Sequence, residues 1–214
     1  MRAEFEADML EVGRLVVSMA EAVRTAMRHA TTALLGANRA AAEAVIARDD
    51  EVDELYRRIE ELVYAVLARQ APVASDLRLM ITSLHVAADL ERMGDLAGHV
   101  AKTCLRRYPA GAVPAELGGT IRQMAEVADR IAGKITLVLS GPTVARASEL
   151  ERDDDAMDDL QRRLFAALLD AHWAHGVEAA VDAALLGRYY ERYADHAVNA
   201  GQHVVYLITG VLPD

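Results

Sequence analysis

A chain of 214 residues suffices for one large domain or two small ones. Its 33 acidic residues outnumber 23 lysines and arginines, and the net charge of −10 argues against general nucleic-acid binding and against adhesion to anionic membrane through bulk charge. A single cysteine, Cys104, excludes intrachain disulfides and a cysteine-based zinc site. Glu4, Glu6, Asp8 and Glu11 crowd the first residues, so no signal peptide is expected there. The most apolar candidate span, from His196 onward, is interrupted by Asn199, Gln202 and His203. A cytoplasmic protein is expected.

Only 5% of the residues are aromatic, while Ala, Leu, Val, Glu, Asp and Arg dominate, which is the composition of long helices. Breakers at Gly36-Ala37-Asn38, Gln70-Ala71-Pro72, Tyr108 to Pro114, Ser140-Gly141-Pro142 and His175-Gly176 divide the chain. They predict helices at 4–35, 38–69, 74–107, 114–140, 143–174 and 177–210, each roughly 40–50 Å long. Val45, Val52, Leu55, Ile59, Leu62 and Val66 give the second helix its apolar stripe, and Leu77, Ile81, Leu84 and Ala88 the third. No apolar stripe is identified as surplus to the core. Short connections force antiparallel neighbours, so the expected fold is all-α, six long antiparallel helices in a bundle architecture.

The two halves repeat one another. Met19-Ala20-Glu21 recurs as Met124-Ala125-Glu126, and Gly36 as Gly141. Asp50-x-x-Asp53-x-Leu55-x-Arg57-Arg58 recurs as Asp155-x-x-Asp158-x-Leu160-x-Arg162-Arg163, always 105 residues on. The Glu91-Arg92-Met93-Gly94-Asp95 stretch returns 100 residues on as Glu191-Arg192-Tyr193-Ala194-Asp195, and a turn can absorb the difference. Two tandem three-helix bundles, 1–109 and 110–214, are therefore expected.

Each half also repeats a charge pattern. Glu91 and Asp95 stand four apart on one helical face, as do Asp49 and Asp53 on the preceding helix. If the two helices form a hairpin, pairing Asp53 with Glu91 and Asp49 with Asp95 centres both pairs on Pro72. In the second half Asp154, Asp158, Glu191 and Asp195 centre on the turn before Gly176. Four like charges within about 6 Å repel strongly, so they must protonate, pair with arginine or bind a cation. Oxygen-rich donor sets suit Mg, Ca, Mn or Fe. Arginine pairing is the rival, since Arg92, Arg192, Arg57, Arg58, Arg162 and Arg163 lie close by. Adjacent helix positions diverge by about 100°, so Arg92 is expected to be badly placed to neutralise Glu91.

His99 and Asn199 follow Asp95 and Asp195 by four and are expected to hydrogen-bond a carboxylate rather than to extend the ligand row. His85, His172, His175 and His203 read as surface or satisfied core residues, Cys104 as a small core residue, and Trp173 as packing. There is no Walker A sequence, no Gly-x-Gly-x-x-Gly, no Gly-x-Ser-x-Gly, and no Glu-x-x-His of the ferritin-like di-iron bundles. The enzymatic readings kept open are a carboxylate-bridged oxidase or phosphohydrolase; a metal-free helical scaffold is the third reading.

With these motifs in view, the chain resembles the PhoU family, accessory and regulatory proteins of phosphate-specific transport. The likeness rests on 91–97, on 191–199 and on Asp50-x-x-Asp53-x-Leu55 with its copy at 155–160, and it spans essentially the whole chain. It implies paired three-helix bundles whose acidic motifs are associated with multinuclear iron or zinc clusters. Carried over, Asp49, Asp53, Glu91 and Asp95 would hold one metal site, and Asp154, Asp158, Glu191 and Asp195 the other. It also implies no enzymatic activity, a homodimer, and negative regulation of phosphate uptake and of the phosphate-starvation response. The partners implied are a phosphate ABC transporter's ATPase subunit and a sensor histidine kinase.

Overall fold

A computed structural model describes residues 2–147 and 149–211. The chain runs through α1 (Arg2–Leu35), α2 (Arg39–Ala47), α3 (Asp49–Gln70) and α4 (Ala74–Arg107), then α5 (Gly118–Ser140), the single turn α6 (Val144–Ala147), α7 (Glu149–Leu168) and α8 (Gly176–Thr209). The described residues contain no strand. The architecture is all-α, with six long helical segments in two three-helix units. The first break is built as the sequence suggests: Asn38 caps α2 by accepting a hydrogen bond from the Ala41 N–H at 3.0 Å.

Two expected helices are shorter or broken. The segment 38–69 kinks at Arg48, whose N–H turns back to the Val45 carbonyl at 3.1 Å, and α3 starts afresh with Asp49, Asp50 and Glu51 in its first turn. Carboxylates there meet the positive end of the new helix, which favours the restart. The segment expected at 143–174 is divided between α6 and α7 and stops at Leu168; Ser148 lies outside the described residues. A turn follows in which Asp170 accepts from the His172 N–H at 2.7 Å.

In the first unit α1, α3 and α4 pack together, and in the second α5, α7 and α8. The units meet along α1 on α5 and α4 on α8, and one continuous core joins them. Its largest members include Tyr190, Tyr193, Met19, Ile59, Met80 and Ile135, all fully buried. The two tyrosines satisfy their hydroxyls against α1, Tyr190 with Thr31 Oγ1 at 2.7 Å and Tyr193 by donating to the Val23 carbonyl at 3.2 Å. The α4/α8 crossing is antiparallel: Arg106 meets Asp182, His99 meets Tyr189, Asp89 meets His196 and His85 meets His203.

The apolar stripe of α4 differs from the expected one. Met80, Val86, Ala87 and Leu90 are buried, whereas Leu77 and Ile81 are 40% and 38% exposed and Ala88 faces solvent. Contact with both α1 and α8 rotates the inward face toward small residues. Leu77 and Ile81, with Val73, are thus surplus to the core, and Val177, Val181 and Leu185 repeat that exposed stripe on α8.

Candidate metal centre

Glycines set how closely the carboxylate-bearing helices approach. A Cβ on Gly94 would lie 3.1 Å from Val52 Cγ1, and one on Gly98 would lie 3.6 Å from Asp49 Oδ2. The first of these contacts centres the α3–α4 hairpin on Val73 and the second between Val73 and Ala74, just beyond the Pro72 expected. In the second unit Gly187 sits against Leu164 and Gly201 against Leu150, centred between His175 and Gly176. Both hairpins set their acid-bearing helices side by side, the first in a register shifted from the one the spacing suggests.

In the first unit burial raises the pKa of Asp49, and repulsion from Asp53 and Asp95 adds to it. Glu91 is raised by burial and then by Asp95, with Asp53 and Asp49 contributing. All four acids thus share one electrostatic field, though Asp53 itself is exposed. Arg92 is better placed than the helical wheel implies. Its long side chain bends back so that Nη1 lies 2.8 Å from Asp95 Oδ2 and Nε lies 3.5 Å from Glu91 Oε2, bridging the pair.

The second quartet is drier. Asp154 is half-buried, and burial followed by repulsion from Asp195, Asp158, Asp155 and Glu191 pushes its pKa up to about 6. Glu191 is only 8% exposed and is raised chiefly by burial. Arg188 donates to Glu191 Oε1, while Glu191 Oε2 and Asp154 Oδ1 are buried with no hydrogen-bond partner among the described residues. Asp153, beside them in sequence, turns toward α5 and pairs with Lys134 at 2.8 Å. Among the described residues, Asp49, Asp53, Asp154, Asp158 and Asp195 have no cationic side chain within ion-pair distance.

Does this donor set fit a metal? Two buried, unpaired oxygens in a like-charged, all-oxygen cluster are what a hard cation requires, so the second quartet fits better than the arginine-bridged first. In the side-chain conformations present, no group of three His, Cys, Asp or Glu among the described residues is arranged to hold an ion.

The flanking residues depart from expectation. His99 is exposed and lies against the Tyr189 ring at 5.2 Å rather than on a carboxylate, and Asn199 is exposed. His85 and His203 stack at 4.9 Å, while His196 Nδ1 meets Asp89 Oδ1 at 2.9 Å and His203 Nε2 lies 3.6 Å from Asp89 Oδ2. These α4/α8 contacts join residues more than a hundred positions apart, which no local spacing reveals. Arg188, three before Glu191, was open to detection from its helical spacing. So was Asp182, a lone acid in an apolar run: it is 3% exposed and clasped by both Arg106 and Arg107. Cys104 is buried against the Ala33 carbonyl, as a small core residue should be.

The fold and the site define the class: an all-α protein of doubled three-helix bundles with one acid quartet in each unit. The PhoU domain matches at residues 16–104 and again at 121–204, so the chain belongs to the PhoU family. It is 41% identical over 213 residues to the phosphate-specific transport system accessory protein PhoU homolog 2 of Mycobacterium tuberculosis, covering 100% of both chains. To PhoU homolog 1 of Mycobacterium leprae it is 40% identical over 214 residues, covering 100% of this chain and 96% of the other. The fold is similar to the crystal structure of the phosphate transport system regulatory protein PhoU from Streptococcus pneumoniae. That likeness has a TM-score of 0.89 at 23% identity, over 98% of this chain and 99% of the other.

Proposed function

We propose that this chain is a cytoplasmic, non-enzymatic negative regulator of phosphate uptake and of the phosphate-starvation response. It acts as a metal-binding helical adaptor between a phosphate ABC transporter and a sensor histidine kinase. The observation that supports the reading is end-to-end similarity to accessory proteins of phosphate-specific transport. No helix of the described residues is long and apolar enough to cross a membrane, so contact with a membrane transporter would run through an exposed face. The duplicated apolar stripes Val73-Leu77-Ile81 and Val177-Val181-Leu185 supply such faces for partner helices. Deleting the gene should derepress phosphate uptake and starvation genes in phosphate-replete medium; unchanged uptake and transcription would refute the regulatory role.

The eight carboxylates supply oxygen ligation for divalent or ferric ions, iron and zinc included, once Arg92 and Arg188 release their acids. Elemental analysis of freshly purified protein tests this. Replacing Glu91 and Asp95 by alanine should abolish metal in the first unit only, and replacing Asp154 and Glu191 should abolish it in the second. The rival reading, a metal-free scaffold, is favoured by the Arg92 bridge and expects background metal in every variant.

A further inference from the structure

Where α1 crosses α5 the surface opens into a concavity of about 450 Å³, lined by Arg28, Thr31 and Thr32 from α1 and by Arg122, Glu126 and Arg130 from α5. Three arginines lining one hollow stand out in a chain of net charge −10. The neighbouring acids are already occupied. Asp129, also in the lining, is closed by a two-pronged bond from Arg24 at 2.8 Å for each prong, which holds its pKa below the usual carboxylate range. Asp153 is taken by Lys134 at 2.8 Å. Arg28 and Arg130 reach Asp129 and Asp153 only at 3.8 and 3.7 Å, and Arg122 has no ion-pair partner among the described residues. Glu126 is left as the opposing charge, so the hollow carries a net positive excess.

The repeat supplies an internal control. At the common offset of 105, Thr31 corresponds to Thr136 and Glu126 to Glu21, but Arg28, Arg122 and Arg130 correspond to Gly133, Val17 and Thr25. The matching end of this same α1/α5 crossing is therefore built without arginine at any of the three places. Helix packing does not demand them.

We propose that this hollow binds a phosphoryl-type oxyanion, a compact tetrahedral dianion seated among Arg28, Arg122 and Arg130. Guanidinium forks match the paired oxygens of a phosphoryl group and, being weakly hydrated, give up water readily. The ligand is either free inorganic phosphate or the phosphate of a small monoester. The site shares no residue with the acid quartets and does not depend on the regulatory reading.

Calorimetric titration of the full chain at low ionic strength and about pH 7.5, with inorganic phosphate in one arm and AMP in the other, tests it. Saturable one-to-one binding is expected in at least one arm; phosphate alone identifies the free anion, and tighter AMP binding identifies a monoester. Arg122→Gln should weaken binding about tenfold. Glu126→Gln should tighten it, while Arg162→Gln, an exposed arginine on α7, should leave it unchanged. No saturable binding in either arm overturns the proposal. So does an equal loss in Arg122→Gln and Arg162→Gln, which would mark bulk charge attraction.

Discussion

At Asp154 a carboxyl group loses hydration and gains like-charged neighbours on the same folding event. Its pKa rises from 3.8 to about 6, so between those values the folded chain binds more protons than the unfolded one. Stability contributed by the protonated form is present below about pH 4 and is lost as pH rises toward 6. Because the group is only half-buried, solvent screening reduces the effect to on the order of 1–2 kcal/mol. Asp154→Asn should therefore raise the melting temperature of metal-free protein above pH 6 and leave it unchanged near pH 4. Divalent cations should stabilise the native chain and not this variant; a melting curve indifferent to both changes would show that the quartet carries no stored repulsion. The residue types and four-residue spacings behind this were legible in the sequence. Arg188 on Glu191 likewise follows helical spacing, but an arginine on its own sequence neighbour does not, because a guanidinium at the end of a long side chain can curl back where its Cβ direction does not point. Arg92 on Glu91 is the case in point.

Among the elements, the α3–α4 hairpin owes its close approach to Gly94, whose missing Cβ makes room for the stiff, β-branched Val52. Gly94→Leu should overpack this crossing and cost about 1–3 kcal/mol, pushing Asp53 away from Glu91. Thermal denaturation measures the cost, and a loss of metal from the first unit alone would show that the spacing matters to the site. The α4–α8 crossing rests on a different device. Asp182 is buried and holds Arg106 and Arg107, so Asp182→Ala removes the acceptor they share and should cost about 1–2 kcal/mol, with Arg107 keeping Glu178 and half-exposed Arg106 turning to water. Faster amide exchange confined at first to the start of α8 is the expected signature; uniform exchange would argue against a local clamp. The six long helical segments and most turns could be read in advance, since Asn38, Pro72, Gly141 and Gly176 announce them. The kink at Arg48 could not. No proline or glycine marks it, and the acids that favour a new helix start there also suit an uninterrupted helix surface.

For the molecule as a whole, the constant offset made the duplication visible, but the docking of one unit on the other lay beyond local pattern. Pairs such as Asp89 with His196 and Thr31 with Tyr190 lie 107 and 159 positions apart, and each residue taken alone is an ordinary helical position. The same blindness assigned Leu77 and Ile81 to the core, because an apolar period reports a face without saying what it meets. That face has its own test. Changing Leu77 and Val181 to glutamate should leave the melting temperature within about 2 °C, as exposed positions allow, while phosphate regulation in the cell is lost. Intact regulation in a folded double variant would place the partner surface elsewhere.

Arg24 and Asp129 occupy matching places in the two halves, yet they grip each other. Had the halves been separate identical chains related by a twofold axis, that position would have confronted its own likeness, arginine against arginine or aspartate against aspartate. Covalent fusion frees such an axial site to take opposite charges, which no self-paired ancestor could do. The join between the halves is consequently polarised, and neither half is fitted to dock on a second copy of itself at this point.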